Sequence, residues 1–175
     1  LEFEGWLDRL VEASGFHGSR VVATTGIRAI AYEHAKGEHH DEHAGHDHGA
    51  FDPHAWQSLS NSIIYVDNIT SALAQISPTN AEFFLKNRRD YISDIKRLDE
   101  WTREMVSGLP ENRRTVVTSH DAFQYFDREY GLKFLAPQGL STESEASAQD
   151  VANLIKQMRS EGISAVFIEN ISDPR

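Results

Sequence analysis

An α/β chain, with two βα lobes joined by one long helix, is the architecture that these 175 residues predict. Three observations carry it. A short β-branched run precedes the first long amphipathic helix. One periodic segment, residues 78 to 107, is longer than a small lobe needs. Beyond it, short apolar runs alternate with helical stretches, the pattern of βαβ units around a parallel sheet.

Taken in order, Phe3, Trp6, Leu7, Leu10 and Val11 share one face at helical spacing, and Gly15 supplies a C-terminal stop. Val21-Val22-Ala23-Thr24 reads as a strand. Residues 34 to 50 then lose all apolar periodicity and read as a solvated loop of His, Asp, Glu, Gly and Ala. Leu59, Ile63, Val66, Leu73 and Ile76 mark a helix of about five turns. Ser77-Pro78 interrupts it and starts another, whose stripe runs through Phe84, Tyr91, Ile95, Leu98 and Met105. At roughly 1.5 Å per residue this second helix is on the order of 40 Å long.

The remainder predicts a strand at 115–118, a helix at 122–130, a strand at 132–135, a helix at 148–160 and a strand at 164–168. Ser147 and Asp150 form a capping-box-like pattern at the start of the last helix. The implied organisation is a first lobe over 1–77, including the His-rich loop 34–50, a connecting helix over 78–107, and a second lobe over 108–175.

The formal charge of -10 and the scattered Lys and Arg argue against nucleic acid, which needs clustered cations to displace counterions. A cationic ligand suits the balance, as does simple solubility. With no cysteine, a soft-metal site must be built from imidazole and carboxylate. No apolar run approaches the ~20 residues of a membrane span. The chain starts without a basic and apolar leader, so any signal peptide is expected to have been removed.

Nine histidines occur, and His39, His40, His43, His46 and His48 fall within ten residues, interleaved with Asp41, Glu42 and Asp47. Neutral imidazole binds Zn, Cu and Ni, and a flexible backbone lets several ligand subsets reach one ion. The same composition also suits a merely polar or pH-responsive loop. His54 differs in kind: in Asp52-Pro53-His54-Ala55-Trp56 the proline stiffens the turn from which the imidazole leaves. A cap or surface residue is the plainer reading of such a His. His120 ends Thr115-Val116-Val117-Thr118-Ser119-His120, at the carboxyl end of a predicted strand, where open parallel sheets bind ligands. A structural His bonded to a nearby carbonyl is the alternative there. His17 and His34 fit no ligand pattern.

Asp52-Pro53-His54-Ala55-Trp56 and Thr118-Ser119-His120-Asp121-Ala122-Phe123-Gln124-Tyr125-Phe126, with the long helix between them, resemble the metal-binding receptors of zinc and manganese ABC importers. Leu1-Glu2-Phe3-Glu4-Gly5-Trp6, Gly139-Leu140-Ser141-Thr142-Glu143-Ser144-Glu145 and Val166-Phe167-Ile168-Glu169 extend the resemblance over essentially the whole chain. It implies a metal held between two α/β lobes by His, His, His or Glu, and a late Asp or Glu. By that resemblance His54 matches the second ligand and His120 the third. The first His would lie before Leu1 and the last acid after Arg175, so both lobes are expected to be incomplete here; Asp173 is not that acid.

A third-position His favours the zinc-type members, and imidazole suits Zn²⁺ better than the harder Mn²⁺, which stands as the alternative ion. The resemblance implies a receptor outside the cytoplasm, periplasmic or a cell-surface lipoprotein. Its implied partners are an ABC membrane permease and a periplasmic zinc chaperone, and it performs no chemical turnover. Two other readings share the ligands: a zinc-dependent hydrolase with Asp52 or Asp121 as base, and a metal-binding adhesin or metallochaperone without a transporter. No His-Glu-x-x-His sequence supports the hydrolase.

Overall fold

The structure, a computed structural model, describes residues 5–31, 51–137, 147–163 and 165–167. The His-rich tract, His34, Asp173, Ser164 and Ile168 lie outside the described residues. Two compact units divide at Ile95 and Lys96, within the long helix. Among the described residues no helix is long and apolar enough to cross a membrane.

The first unit holds α1 (Leu7–Ala13) and α2 (Leu59–Ile76), and the N-terminal part of α3 (Ala81–Ser107). Gly15 follows α1 with φ 65°, the left-handed conformation that a side chain resists. Residues 21–24 do not form the expected strand. The N–H groups of Thr25 and Ile27 turn back onto Val22 O and Thr24 O at 3.2 and 3.3 Å. Asn68 Nδ2, on α2, donates to both Ala23 O and Thr25 O at 2.8 Å. Carbonyls taken by a turn and by an amide side chain are not available to a sheet ladder, and Val21 and Val22 stay exposed. Among the described residues of this unit, the only strand-like contact is the antiparallel bridge Ala31–Phe51.

Ser77-Pro78 breaks the helical run as expected, and Pro78–Asn80 is a single 3₁₀ turn before α3 begins at Ala81. Within the first unit, Arg88 of α3 donates from Nε to Asp67 Oδ1 of α2 at 2.6 Å. The side chains buried on α3 are Ile92, Ile95 and Val106, whereas Tyr91, Leu98 and Met105 remain exposed. Phe84, Tyr91, Leu98 and Met105 recur every seven residues, and on a straight helix such a repeat drifts about 20° per heptad. A stripe read at that spacing therefore rotates off the buried face over the length of α3.

In the second unit, β1 (Thr115–Val117) and β2 (Lys133–Leu135) are parallel, in register Thr115 to Lys133 and Val117 to Leu135. The crossover between them carries α4 (Gln124–Tyr130), as parallel pairing demands. On its other edge β1 meets the segment around Val166 through a parallel bridge, with Val117 N–H donating to Ala165 O and Phe167 N–H to Val117 O. The alternation read from the sequence is thus a parallel α/β sheet with β1 between two neighbours. Phe123 stacks on Phe134 with centroids 4.8 Å apart, and Phe126 meets the same ring edge-on at 5.8 Å, sealing α4 against β2. α5 (Ala148–Glu161) starts at Ser147, whose hydroxyl accepts the Asp150 N–H at 3.1 Å. The Asp150 carboxylate pairs with the Ser147 hydroxyl rather than reaching its backbone N–H, so the capping box is half formed.

A polar network ties the C-terminal part of α3 to α4. Tyr130 donates its hydroxyl to Asp99 Oδ1 at 2.8 Å, while Arg103 bonds Asp99 Oδ2 at 3.0 Å and Glu129 Oε1 at 2.7 Å and lies over the Tyr130 ring. Burial, followed by the bond to Asp99, pushes the Tyr130 phenol above its ordinary range. Folding then favours the protonated phenol, so this contribution is complete below the unfolded value of about 10 and is lost as pH rises beyond it. Tyr130→Phe is expected to lower unfolding free energy by about 1–2 kcal/mol at pH 7. In urea melts the gap between variant and parent should narrow above about pH 10. Gly131 ends α4 at φ 74°. Gly131→Ala should cost a further ~1–2 kcal/mol in the same melts.

Candidate metal centre

His54 and His120 lie in different units, and each is built by its own surroundings. Both are nearly buried, 7% and 8% exposed, whereas His17 is exposed. A buried imidazole must have its polar atoms engaged, or be held for a ligand, because burial without a partner costs a few kcal/mol.

His54 stands on a short, heavily constrained stretch. The bridge between Ala31 and Phe51 is continued by Asp52, whose N–H donates to Ile30 O at 2.9 Å. Pro53 then fixes its own φ, and His54 begins a 3₁₀ turn, Ala55–Gln57, with Gln57 N–H returning to His54 O at 3.1 Å. The turn is stapled to the start of α2. Ser58 caps that helix by accepting the Asn61 N–H at 3.2 Å, and Asn61 Nδ2 donates back to Ala55 O at 3.0 Å. Asp52, Ala55, Ser58 and Asn61 are all buried.

The decisive contact is local. Asp52 Oδ1 accepts the backbone N–H of His54 at 2.9 Å and lies 2.8 Å from its ring Nδ1. Nδ1 thus faces a buried carboxylate, an outer-shell pairing that metal-ligating histidines commonly use. Trp56 meets the His54 ring edge-on at 5.2 Å and is itself exposed.

His120 follows β1. Thr118 N–H donates to Leu135 O at 2.9 Å, prolonging the ladder by one residue. The Thr118 hydroxyl and the Ala122 N–H both donate to His120 O at 3.1 Å, fixing the backbone as it leaves the sheet. The residue therefore sits beyond the carboxyl end of a parallel strand, where the sequence put it. Of the bases considered for a hydrolase, Asp52 is fully buried against His54, and Asp121 accepts from Gln124 Nε2 at 2.7 Å.

Among the described residues no group of three or more His, Cys, Asp and Glu side chains is gathered to hold a metal. His39, His40, His43, His46 and His48 fall outside the described residues. Sequence reasoning missed Asn61 and the Asp52–His54 pair. The second was readable in principle, since an Asp commonly bonds the backbone N–H two residues on.

The family described as ZnuA, zinc-uptake complex component A, periplasmic, matches residues 1–175. The manganese-binding lipoprotein MntA of Bacillus subtilis is 42% identical over 120 residues, covering 69% of this chain and 39% of MntA. The manganese ABC transporter substrate-binding lipoprotein PsaA of Streptococcus anginosus is 33% identical over 127 residues, covering 73% of this chain and 41% of PsaA. The periplasmic zinc-binding protein TroA from Treponema pallidum superposes with a TM-score of 0.68 at 34% identity, covering 71% of this chain and 45% of TroA. The chain spans about two fifths of the length of the curated relatives it matches. With the family match over all of residues 1–175, a parallel α/β sheet and both histidine motifs in place, this chain belongs to the family described as ZnuA, zinc-uptake complex component A, periplasmic.

Proposed function

We propose that this chain is part of an extracytoplasmic receptor that captures Zn²⁺ and delivers it to an ABC-type membrane permease, with His54 and His120 as metal ligands. The observation that carries the reading is His54 itself, buried, on a stiff turn, with a carboxylate on Nδ1. The relatives support a transition-metal cargo while naming different ions, manganese for MntA and PsaA and zinc for TroA. Zinc is our choice because two imidazoles suit a borderline-soft cation, whereas Mn²⁺ favours oxygen. The receptor performs no chemistry on its cargo, so release depends on loosening ligands rather than on turnover.

The tract from His39 to His48 is proposed as an accessory collector. Its two flanks are pinned together by the Ala31–Phe51 bridge, immediately before Asp52. His48 is six residues from His54, at most about 20 Å even for an extended chain. Metal held weakly there is kept at high local concentration near the turn.

Calorimetry of Zn²⁺ binding tests the ligand assignment. His54→Ala and His120→Ala should each weaken the tightest event at least tenfold, and deletion of residues 38 to 48 should remove only separate, weaker events. If both point variants bind as the parent does and the deletion abolishes binding, the receptor reading fails. Affinity alone does not identify the natural cargo, since Zn²⁺ outranks Mn²⁺ at almost any nitrogen and oxygen site. Elemental analysis of protein isolated from its own compartment should find zinc; manganese in its place would overturn that choice.

A further inference from the structure

We infer that Asp52 is a positioning residue for metal capture: it holds the His54 ring proton on Nδ1, so that the Nε2 lone pair is offered to the cation before any cation arrives. The inference rests on the reading of His54 as a ligand and adds the means by which the site is preorganised.

The geometry leaves little choice of tautomer. Asp52 Oδ1 accepts the His54 backbone N–H at 2.9 Å and faces Nδ1 of the same residue at 2.8 Å. An oxygen engaged as acceptor and a bare ring nitrogen would present lone pairs to each other at that separation, so Nδ1 carries the hydrogen. A free neutral imidazole in water prefers its hydrogen on the other nitrogen, which makes this an imposed state.

Three features enforce it. Asp52 is fully buried, which excludes water from competing for Oδ1. Its backbone is anchored through Ile30 O at 2.9 Å, which fixes where the carboxylate starts. Pro53 between the two residues has no N–H of its own to offer that oxygen, and its ring restricts the path from Asp52 to His54. A ligand held in the right tautomer and orientation loses less freedom on binding, and removing such outer-shell partners typically costs about 10–100-fold in metal affinity.

The test reads the ring directly. In the metal-free 175-residue chain, ¹⁵N chemical shifts of the His54 imidazole, assigned by loss of its signals in His54→Gln, should show Nδ1 protonated and Nε2 bare. Titration with Zn²⁺ alone, followed on the same signals, reads binding at this residue separately from events on the tract, which competes equally in parent and variants. Asp52→Ala should return the ring to a mixture dominated by Nε2–H and weaken Zn²⁺ about 10–100-fold. Asp52→Asn keeps an acceptor oxygen at the same place, so it should retain the Nδ1–H tautomer and recover part of the lost affinity.

A parent ring protonated on Nε2 overturns the inference, as does an Asp52→Ala variant with unchanged tautomer and affinity. If Asp52→Ala fails to fold, the parent tautomer and the Asp52→Asn titration still decide. If Zn²⁺ leaves the His54 signals of the parent unmoved, the receptor reading of His54 fails, while the metal-free tautomer still reports whether Asp52 controls the ring.

Discussion

Burying a histidine beside a carboxylate is a demanding arrangement, and residues 51 to 61 are organised to meet it. The imidazole can leave water because Oδ1 of Asp52 takes both the backbone N–H and the ring nitrogen of His54. Burial of Asp52 is offset in part by the tie of its backbone to Ile30 and of its Oδ1 to the residue it supports. The turn that follows is held by Asn61 and Ser58, which also begin α2. The imidazole and the helix start are therefore one hydrogen-bonded unit. Loosening either end would be felt at the imidazole.

The second unit solves the same problem by different means. His120 is placed by a parallel ladder that runs one residue past β1 and then stops, with two donors converging on its carbonyl. Rigidity there comes from the sheet and from the ring stack of Phe123, Phe126 and Phe134. Side chains carried on such elements are held more exactly than those on loops. The Asp99, Arg103, Glu129 and Tyr130 network joins α3 to α4 within this unit; its exposed Arg103 adds direction more than stability, and its buried Tyr130 adds both.

Large apolar side chains on α2 and α3, including Ile69, Ile76, Phe83, Tyr91, Trp101 and Met105, are exposed. The sequence marks several of these as a buried stripe; of the α3 stripe Ile95 is buried, but Tyr91, Leu98 and Met105 are exposed, and burial falls also on Ile92 and Val106. Periodicity reports that a helix has an apolar side; it does not report which of its apolar residues meets a neighbour. The seven-residue spacing from Phe84 to Met105 drifts around α3, away from the face that carries Ile92, Ile95 and Val106.

The sequence by itself determined the helices, the strand–helix alternation of residues 115–161 and the two histidines worth following. Helical period, proline and glycine punctuation, and position after a strand are all local properties. It also carried a specific resemblance through Asp52-Pro53-His54 and Thr118-Ser119-His120, now matched by the family. Tertiary structure alone decided that residues 21–24 are not a strand, because Asn68, over forty residues away, takes the carbonyls of Ala23 and Thr25 while a turn takes those of Val22 and Thr24. It also decided which α3 residues are buried. Those outcomes depend on which groups meet across long sequence separations and which are shielded from water, and no local pattern of residue types contains that information.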